Sequence, residues 1–159
     1  MIGQLVVGWL FADLLSGVFH WWQDNILRED TPILGSYLAA HAQLHHREPL
    51  AFTNNSFLYR NGPTFILAAV FALAAITVFG LSVFILATTA GIALSTQVHY
   101  WAHCPRHAPP IVRMLQETGL LQSPKQHSRH HRPPFKAAPC ALTDILNPII
   151  SYFSALKMR

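Results

Sequence analysis

Charge is scarce in this chain. Asp, Glu, Lys and Arg make up 11% of its 159 residues, against about 25% in an ordinary soluble domain. Hydrophobic residues reach 52% and mean hydropathy is +0.29, so the composition excludes a water-facing surface on all sides and points to lipid. The formal charge of +4 comes with no basic stripe and no recognition motif, which argues against nucleic acid as a partner. It suits loops that touch anionic headgroups. Cysteine is nearly missing. Cys104 and Cys140 form no CxxC pair, which excludes a disulfide framework and a zinc ribbon, though Cys104 stays a candidate ligand among nearby histidines. A Gly-rich dinucleotide motif is also lacking. No basic stretch precedes the first apolar segment, which carries Asp13 and His20, so a cleavable signal peptide is not expected. The length fits one membrane-embedded domain over residues 1–159.

What the chain does have is long apolar runs. Residues 2–22 are about one bilayer long, with Asp13 near the middle. A carboxylate there costs roughly 2.5–3.5 kcal/mol on insertion scales and should face the protein interior. Its bland role is a helix-packing polar group bonded to Ser16 or a neighbour. Residues 63–101 carry no Asp, Glu, Lys or Arg, and Gly80 divides them into 64–79 and 81–101, a tight transmembrane hairpin. Residues 32–46 and 141–156 are shorter apolar segments, the second interrupted by Asn147-Pro148. Residues 47–62 read as an irregular loop, 108–122 as an amphipathic helix at the interface, and 123–139 as polar and proline-rich. The fold class is all-α: an integral membrane helical bundle with about four membrane segments plus interfacial helices.

The ten histidines avoid the run from Pro63 to Thr96 and gather at the ends of apolar segments. His41/His45, His99/His103 and His127/His130/His131 have one-turn helical spacing, which puts side chains on one face. The hairpin leaves near residue 63 and returns near residue 99, so His41–His46, His99–His103 and His127–His131 share one membrane face with His20. Arg28, Arg47, Arg60, Arg106, Arg113, Lys125, Arg129, Arg132 and Lys136 lie on that side, and the Gly80 loop carries no charge. The positive-inside rule places the histidine face in the cytoplasm, where Trp21, Trp22, Tyr100 and Trp101 form an aromatic belt.

Imidazole is a common ligand for iron, zinc and copper. Adjacent histidines on a helix diverge by about 100°, so His45 and His46 together suit two metals better than one. A single zinc needs three or four ligands, fewer than this chain offers. Asp24, one turn after His20, can fix a ring tautomer; a solvated interfacial His20 is the alternative. His107, next to Arg106 and a proline run, reads as a non-ligand. Two irons held mainly by imidazole at a membrane surface would activate O₂ for attack on an unactivated methylene.

Residues 12–24 (ADLLSGVFHWWQD), 44–49 (LHHREP), 96–105 (TQVHYWAHCP), 115–121 (LQETGLL) and 126–134 (QHSRHHRPP) resemble, in order and spacing, the lipid desaturase family. That family includes Kua, CarF, the plasmanylethanolamine desaturases and the plant plastid phosphatidylglycerol desaturase. The resemblance covers residues 10–148. It implies a membrane di-iron, O₂-dependent lipid desaturase, with His20, His45, His46, His99, His103, His127, His130 and His131 as ligands. Animal members have histidine where this chain has Asn55 and Phe135, and lack a counterpart to His41; the plant-type member has tyrosine near Phe135. His41, or Asn55 through a water, is therefore a candidate to complete the coordination. Asp24 and Asp13 are candidates to support the ligands. The expected substrate is the alkyl chain of a plasmanyl phospholipid, giving a vinyl ether, or an acyl chain of a glycerolipid. Electrons would come from an external reductase, ferredoxin or cytochrome b5-type donor. The rival functions are a hydroxylase on the same scaffold, a non-catalytic metal-binding membrane protein, and, more distantly, a zinc hydrolase.

Overall fold

The computed structural model describes residues 1–133, 135 and 137–156; Lys136, counted above among the histidine-side cations, lies outside them. Among these residues the structure is helical, without strands. Three helices are long and apolar enough to cross a membrane. They are α1 (Ile2–Asn25), α3 (Phe57–Phe79) and α4 (Val83–His103). The shorter helices cluster around the end of the bundle at which α1 and α4 carry histidines. They are α2 (Ala40–Arg47), preceded by a π-helical turn at Gly35–Ala39, then α5 (Pro110–Glu117), α6 (Pro124–His130) and α7 (Asn147–Leu156).

Two of the long helices outrun the apolar segments read from sequence, and α4 keeps the length read for it but lies two residues later. α1 continues to Asn25, which brings Asp24 into the same helix as His20. α3 begins at Phe57 rather than near residue 64, because Ser56 caps it by accepting from the Tyr59 N–H at 3.3 Å. Asn61-Gly62 and Pro63 therefore sit inside the helix instead of ending a loop. Asn61 is fully buried and donates to Phe57 O and Gln97 Oε1, which ties α3 to α4. Asn147-Pro148 begins α7 rather than interrupting it, consistent with proline's tolerance in a first helical turn. The segments 32–46 and 141–156 yield helices too short to span a bilayer, which needs about 20 residues.

Small residues set the packing. A Cβ at Gly8 would lie 2.5 Å from the Phe84 carbonyl oxygen, and one at Gly91 would lie 2.5 Å from Ala12 Cβ. The backbones of α1 and α4 thus approach as membrane helices do when small residues line the contact. Thr88 is fully buried between them, its hydroxyl 3.1 Å from Gly8 O and 2.9 Å from Phe84 O. On α4 the buried positions Ile85, Thr88, Ile92, Ser95, His99 and Ala102 recur every three or four residues, a single helical stripe. That stripe runs from the Gly80 turn to the histidines. Gly80 adopts φ +75°, a conformation that glycine takes at little cost. The outer face of α3 (Val70, Leu73, Phe79) remains exposed, as suits lipid contact.

Candidate metal centre

Two four-residue groups of ligand atoms form at one end of the bundle. His45, His99, His103 and His127 make one, and His20, Asp24, His46 and His130 make the other; within each group the ligand atoms lie within 4.8 Å of one another. Helical geometry explains the division. His45 and His46 are neighbours on α2 and point about 100° apart, one into each group. α6 likewise sends His127 to one group and His130 to the other. His99 and His103, one turn apart on α4, both serve the first, and His20 and Asp24, one turn apart on α1, both serve the second.

The nitrogens face each other at coordination distances. His45 Nε2 is 3.0 Å from His99 Nε2 and 3.3 Å from His103 Nε2. His127 Nε2 is 2.6 Å from His103 Nε2 and 2.9 Å from that of His131. Nitrogens each about 2.1 Å from one metal are about 3.0 Å apart at right angles and about 3.4 Å apart at the tetrahedral angle. In the second group His46 Nε2 is 2.9 Å from Asp24 Oδ1, His130 Nε2 is 3.4 Å from Asp24 Oδ2, and His20 Nε2 is 3.2 Å from His130 Nε2. The Asp24 side chain is 2% exposed. Its Oδ2 is buried without a hydrogen-bond partner, and no Lys or Arg among the described residues lies within ion-pair distance. A carboxylate buried among neutral rings is costly unless a cation compensates it. The donor set therefore fits a divalent metal in each group.

Four of the rings outside the membrane-spanning helices, His45, His127, His130 and His131, are held neutral. Burial, reinforced by neighbouring imidazoles, pushes His45, His127 and His130 well below the ordinary imidazole value. His131 falls to about 4 by burial and by its proximity to His46. Neutral rings keep a lone pair free for a metal.

A strap over residues 137–144 orients the rings from behind. The Ala137 carbonyl lies 3.0 Å from His130 Nδ1, and the Pro139 carbonyl hydrogen-bonds the His20 ring. Such contacts fix the tautomer that leaves Nε2 for the metal. Gln122 is fully buried, and its Nε2 donates to the Cys140 carbonyl and lies 3.2 Å from His127 Nδ1. The strap is itself pinned to α1. Asp13 Oδ1 accepts from the Leu142 and Thr143 N–H groups, both at 3.0 Å, and Asp13 Oδ2 from the Thr143 hydroxyl. Ser16 Oγ accepts from the Ala141 N–H at 3.2 Å and donates to Asp13 O at 2.8 Å. Ala138 sits at φ 53°, sparsely populated for a residue with a Cβ, and its N–H donates to Ser151 Oγ at 3.0 Å. Burial raises the Cys140 thiol far above its usual range, so it is inert. Gln122 and the strap carbonyls had escaped the sequence reading: a glutamine among polar residues has no metal signature, and a carbonyl leaves no trace in side-chain identity.

Of the other candidates, His41 is exposed and stands outside both groups, its ring 5.4 Å from that of Tyr37. Asn55 lines a cleft beside them. His107 pairs with the Tyr100 hydroxyl at 2.6 Å, and Cys104 belongs to neither group.

Two clefts meet at the rings. One, of about 590 Å³, is apolar and lies among α1, α3 and α4, lined by Leu15, Phe19, Leu67, Phe71 and Ile92. The other, of about 550 Å³, is more polar, lined by Tyr37, His41, Asn55, Tyr59 and Arg60. Both share His20, Gln23, Thr96 and His99.

The chain is 37% identical to Fatty acid desaturase 4-like 1, chloroplastic, of Arabidopsis thaliana, over 95% of this chain and 53% of that protein. It is 28% identical to Plasmanylethanolamine desaturase of Myxococcus xanthus, over 92% of this chain and 54% of that protein. Plasmanylethanolamine desaturase 1 of Mus musculus is also 28% identical, over 90% and 57%. The chain thus spans about half the length of the curated relatives it matches. No solved structure matches. The family model for the lipid desaturase domain matches residues 9–158, and the chain belongs to that family.

Proposed function

We propose that this chain is a membrane di-iron lipid desaturase that forms a double bond in an alkyl or acyl chain of a phospholipid. The observation that carries the proposal is the meeting of two metal-ligand groups with an apolar cleft at His20 and His99. His45, His99, His103 and His127, with His131 beside them, would hold one iron; His20, Asp24, His46 and His130 would hold the other. Asp24 is thereby a direct ligand rather than a support, and His41 a cleft residue. Bound irons would supply the O₂-derived oxidant that a saturated methylene requires. The balance is set by the chain reaction: two C–H hydrogens leave the lipid, a C=C bond forms, and O₂ with two electrons and two protons leaves as two waters. An external donor of the reductase, ferredoxin or cytochrome b5 class would bring the electrons.

The residues of the chain perform the rest. Leu15, Phe19, Phe71 and Ile92 would hold a hydrocarbon chain and keep water from it, and the strap carbonyls hold the rings of His20 and His130 in one tautomer. The cytoplasmic side is favoured for the site because Arg28, Arg47, Arg106, Arg113, Lys125, Arg129 and Arg132 lie in the segments that carry the histidines while the Gly80 turn has no charge. The test is incubation of purified protein with lipid, O₂, reductant and donor, with mass spectrometry of the lipid. Loss of two hydrogens supports desaturation. Gain of one oxygen would instead mark a hydroxylase, which begins with the same abstraction, and unchanged lipid in a two-iron protein would favour a non-catalytic role.

A further inference from the structure

We propose that Arg60 is the residue that anchors the lipid phosphate, at the polar mouth of the cleft. The inference rests on the lipid desaturase reading and adds to it the group that the headgroup would meet.

Arg60 is held in place before any ligand arrives. Its guanidinium carbon lies 3.9 Å from the centroid of the Tyr100 ring, and Nη1 donates to the Thr53 and Asn55 carbonyl oxygens. Such contacts remove much of the side-chain freedom that a free arginine would lose on binding. Its charge, however, is uncompensated. No carboxylate among the described residues lies within 4.0 Å of it, and its Nε–H is buried without a hydrogen-bond partner. Arg60 is the fourth residue of α3, and the positive end of a helix dipole opposes a cation there. A guanidinium so placed, half-buried and short of acceptors, favours an anion, and phosphate is the anion whose geometry it matches best.

The cleft supplies the other half of the case. Arg60 lines the polar cleft together with His20 and His99, and those two histidines also line the apolar cleft. A lipid whose phosphate sits at Arg60 can therefore lead one chain past both ligand groups and into the apolar space between α1, α3 and α4. The hydrocarbon would reach the rings at a distance from the headgroup set by this anchor.

The test uses the full chain in detergent. Dioctanoyl phosphatidylglycerol and dioctanoylglycerol are offered at equal concentration, and retained lipid is read by native mass spectrometry. The wild type is expected to retain the phosphorylated lipid about tenfold better, an ordinary value for one charged contact. Arg60→Gln is expected to bring the two within about twofold, while Arg60→Lys, which keeps the charge but loses the fork and the stacking on Tyr100, leaves an intermediate preference. Arg60→Met, which keeps an unbranched stem over Tyr100, serves as a second charge-free variant should Arg60→Gln fail to fold. Equal retention by the wild type, or an unchanged preference in a folded charge-free variant, would overturn the proposal. Inorganic phosphate alone is a further arm: stabilisation by phosphate without retention of the lipid would assign Arg60 to a free anion and also overturn it. Because the readout is binding, loss of the desaturase reading through unchanged lipid product would leave this result standing, and the reverse.

Discussion

Asp13 lies fully buried within α1, yet its effect should be felt at the metal centre. Replacing it with alanine strands the N–H groups of Leu142 and Thr143, each now 3.0 Å from Oδ1. A buried N–H left unpaired costs about 1–3 kcal/mol, so two cost about 4 kcal/mol, with the Thr143 hydroxyl free to turn elsewhere. Asp13→Asn keeps a carbonyl oxygen for both N–H groups and loses only charge assistance and one favourable hydroxyl contact, about 1–2 kcal/mol. For a chain of this size 1 kcal/mol corresponds to about 2–4 °C in melting temperature. The expected order in detergent is therefore wild type, then Asn a few degrees lower, then Ala lower by about 10 °C or more. The damage should also be local. The strap presents Ala137 O to His130 and Pro139 O to His20, both in the Asp24 group. His45, His99 and His103 take no contact from these two carbonyls. Iron analysis of Asp13→Ala should thus show metal lost from the Asp24 group before the other. Equal melting for Ala and Asn, or full iron in a destabilised Ala variant, would refute the clamp.

Other perturbations separate the parts of the account. His46→Ala is expected to lower iron from about two to about one per chain, whereas His41→Ala leaves it unchanged, since His41 lies outside both groups; elemental analysis of the purified variants checks both. Gln122→Leu removes the carboxamide whose Nε2 meets Cys140 O and His127 Nδ1, and is expected to weaken metal affinity about 10-fold, read by chelator competition. Leu15→Trp, filling the apolar cleft from a half-exposed position, should abolish turnover of long chains while iron stays bound, as lipid mass spectrometry would show. The metal-free protein should lose stability in acid. His131 titrates near 4 when folded against 6.5 ordinarily, so the unfolded state binds more protons in between, and stability falls as pH drops from about 6.5 toward 4. Melting temperature of chelator-treated protein across that range tests the sign; a rise in stability on acidification would contradict it.

The spans were legible because apolar runs of bilayer length with at most one charge have few alternative solutions, and the one-face clustering of histidines followed from counting helices. Boundaries were less legible. Ser56 extends α3 backward through Asn61, Gly62 and Pro63, because a cap and a buried amide tie outweigh the breakers read there. The short helix α6 lies in a stretch rich in proline and α7 starts at Asn147-Pro148, and a prolyl residue begins a helix as readily as it ends one. The sorting of histidines between two groups was only half visible. Divergence of His45 from His46 is a property of any helix, but the pairing of Asp24 with His46 and His130 depends on how α1, α2 and α6 meet. The reach of Asp13 to residues 142 and 143 spans nearly the whole chain, and no local pattern announces it.

Counting metal in the purified full chain, by element and per polypeptide, tests the central claim most directly. Two irons per chain, falling to one in His46→Ala, are the expected result. A single zinc, or two irons undisturbed by loss of His46, would contradict a centre built from these two groups.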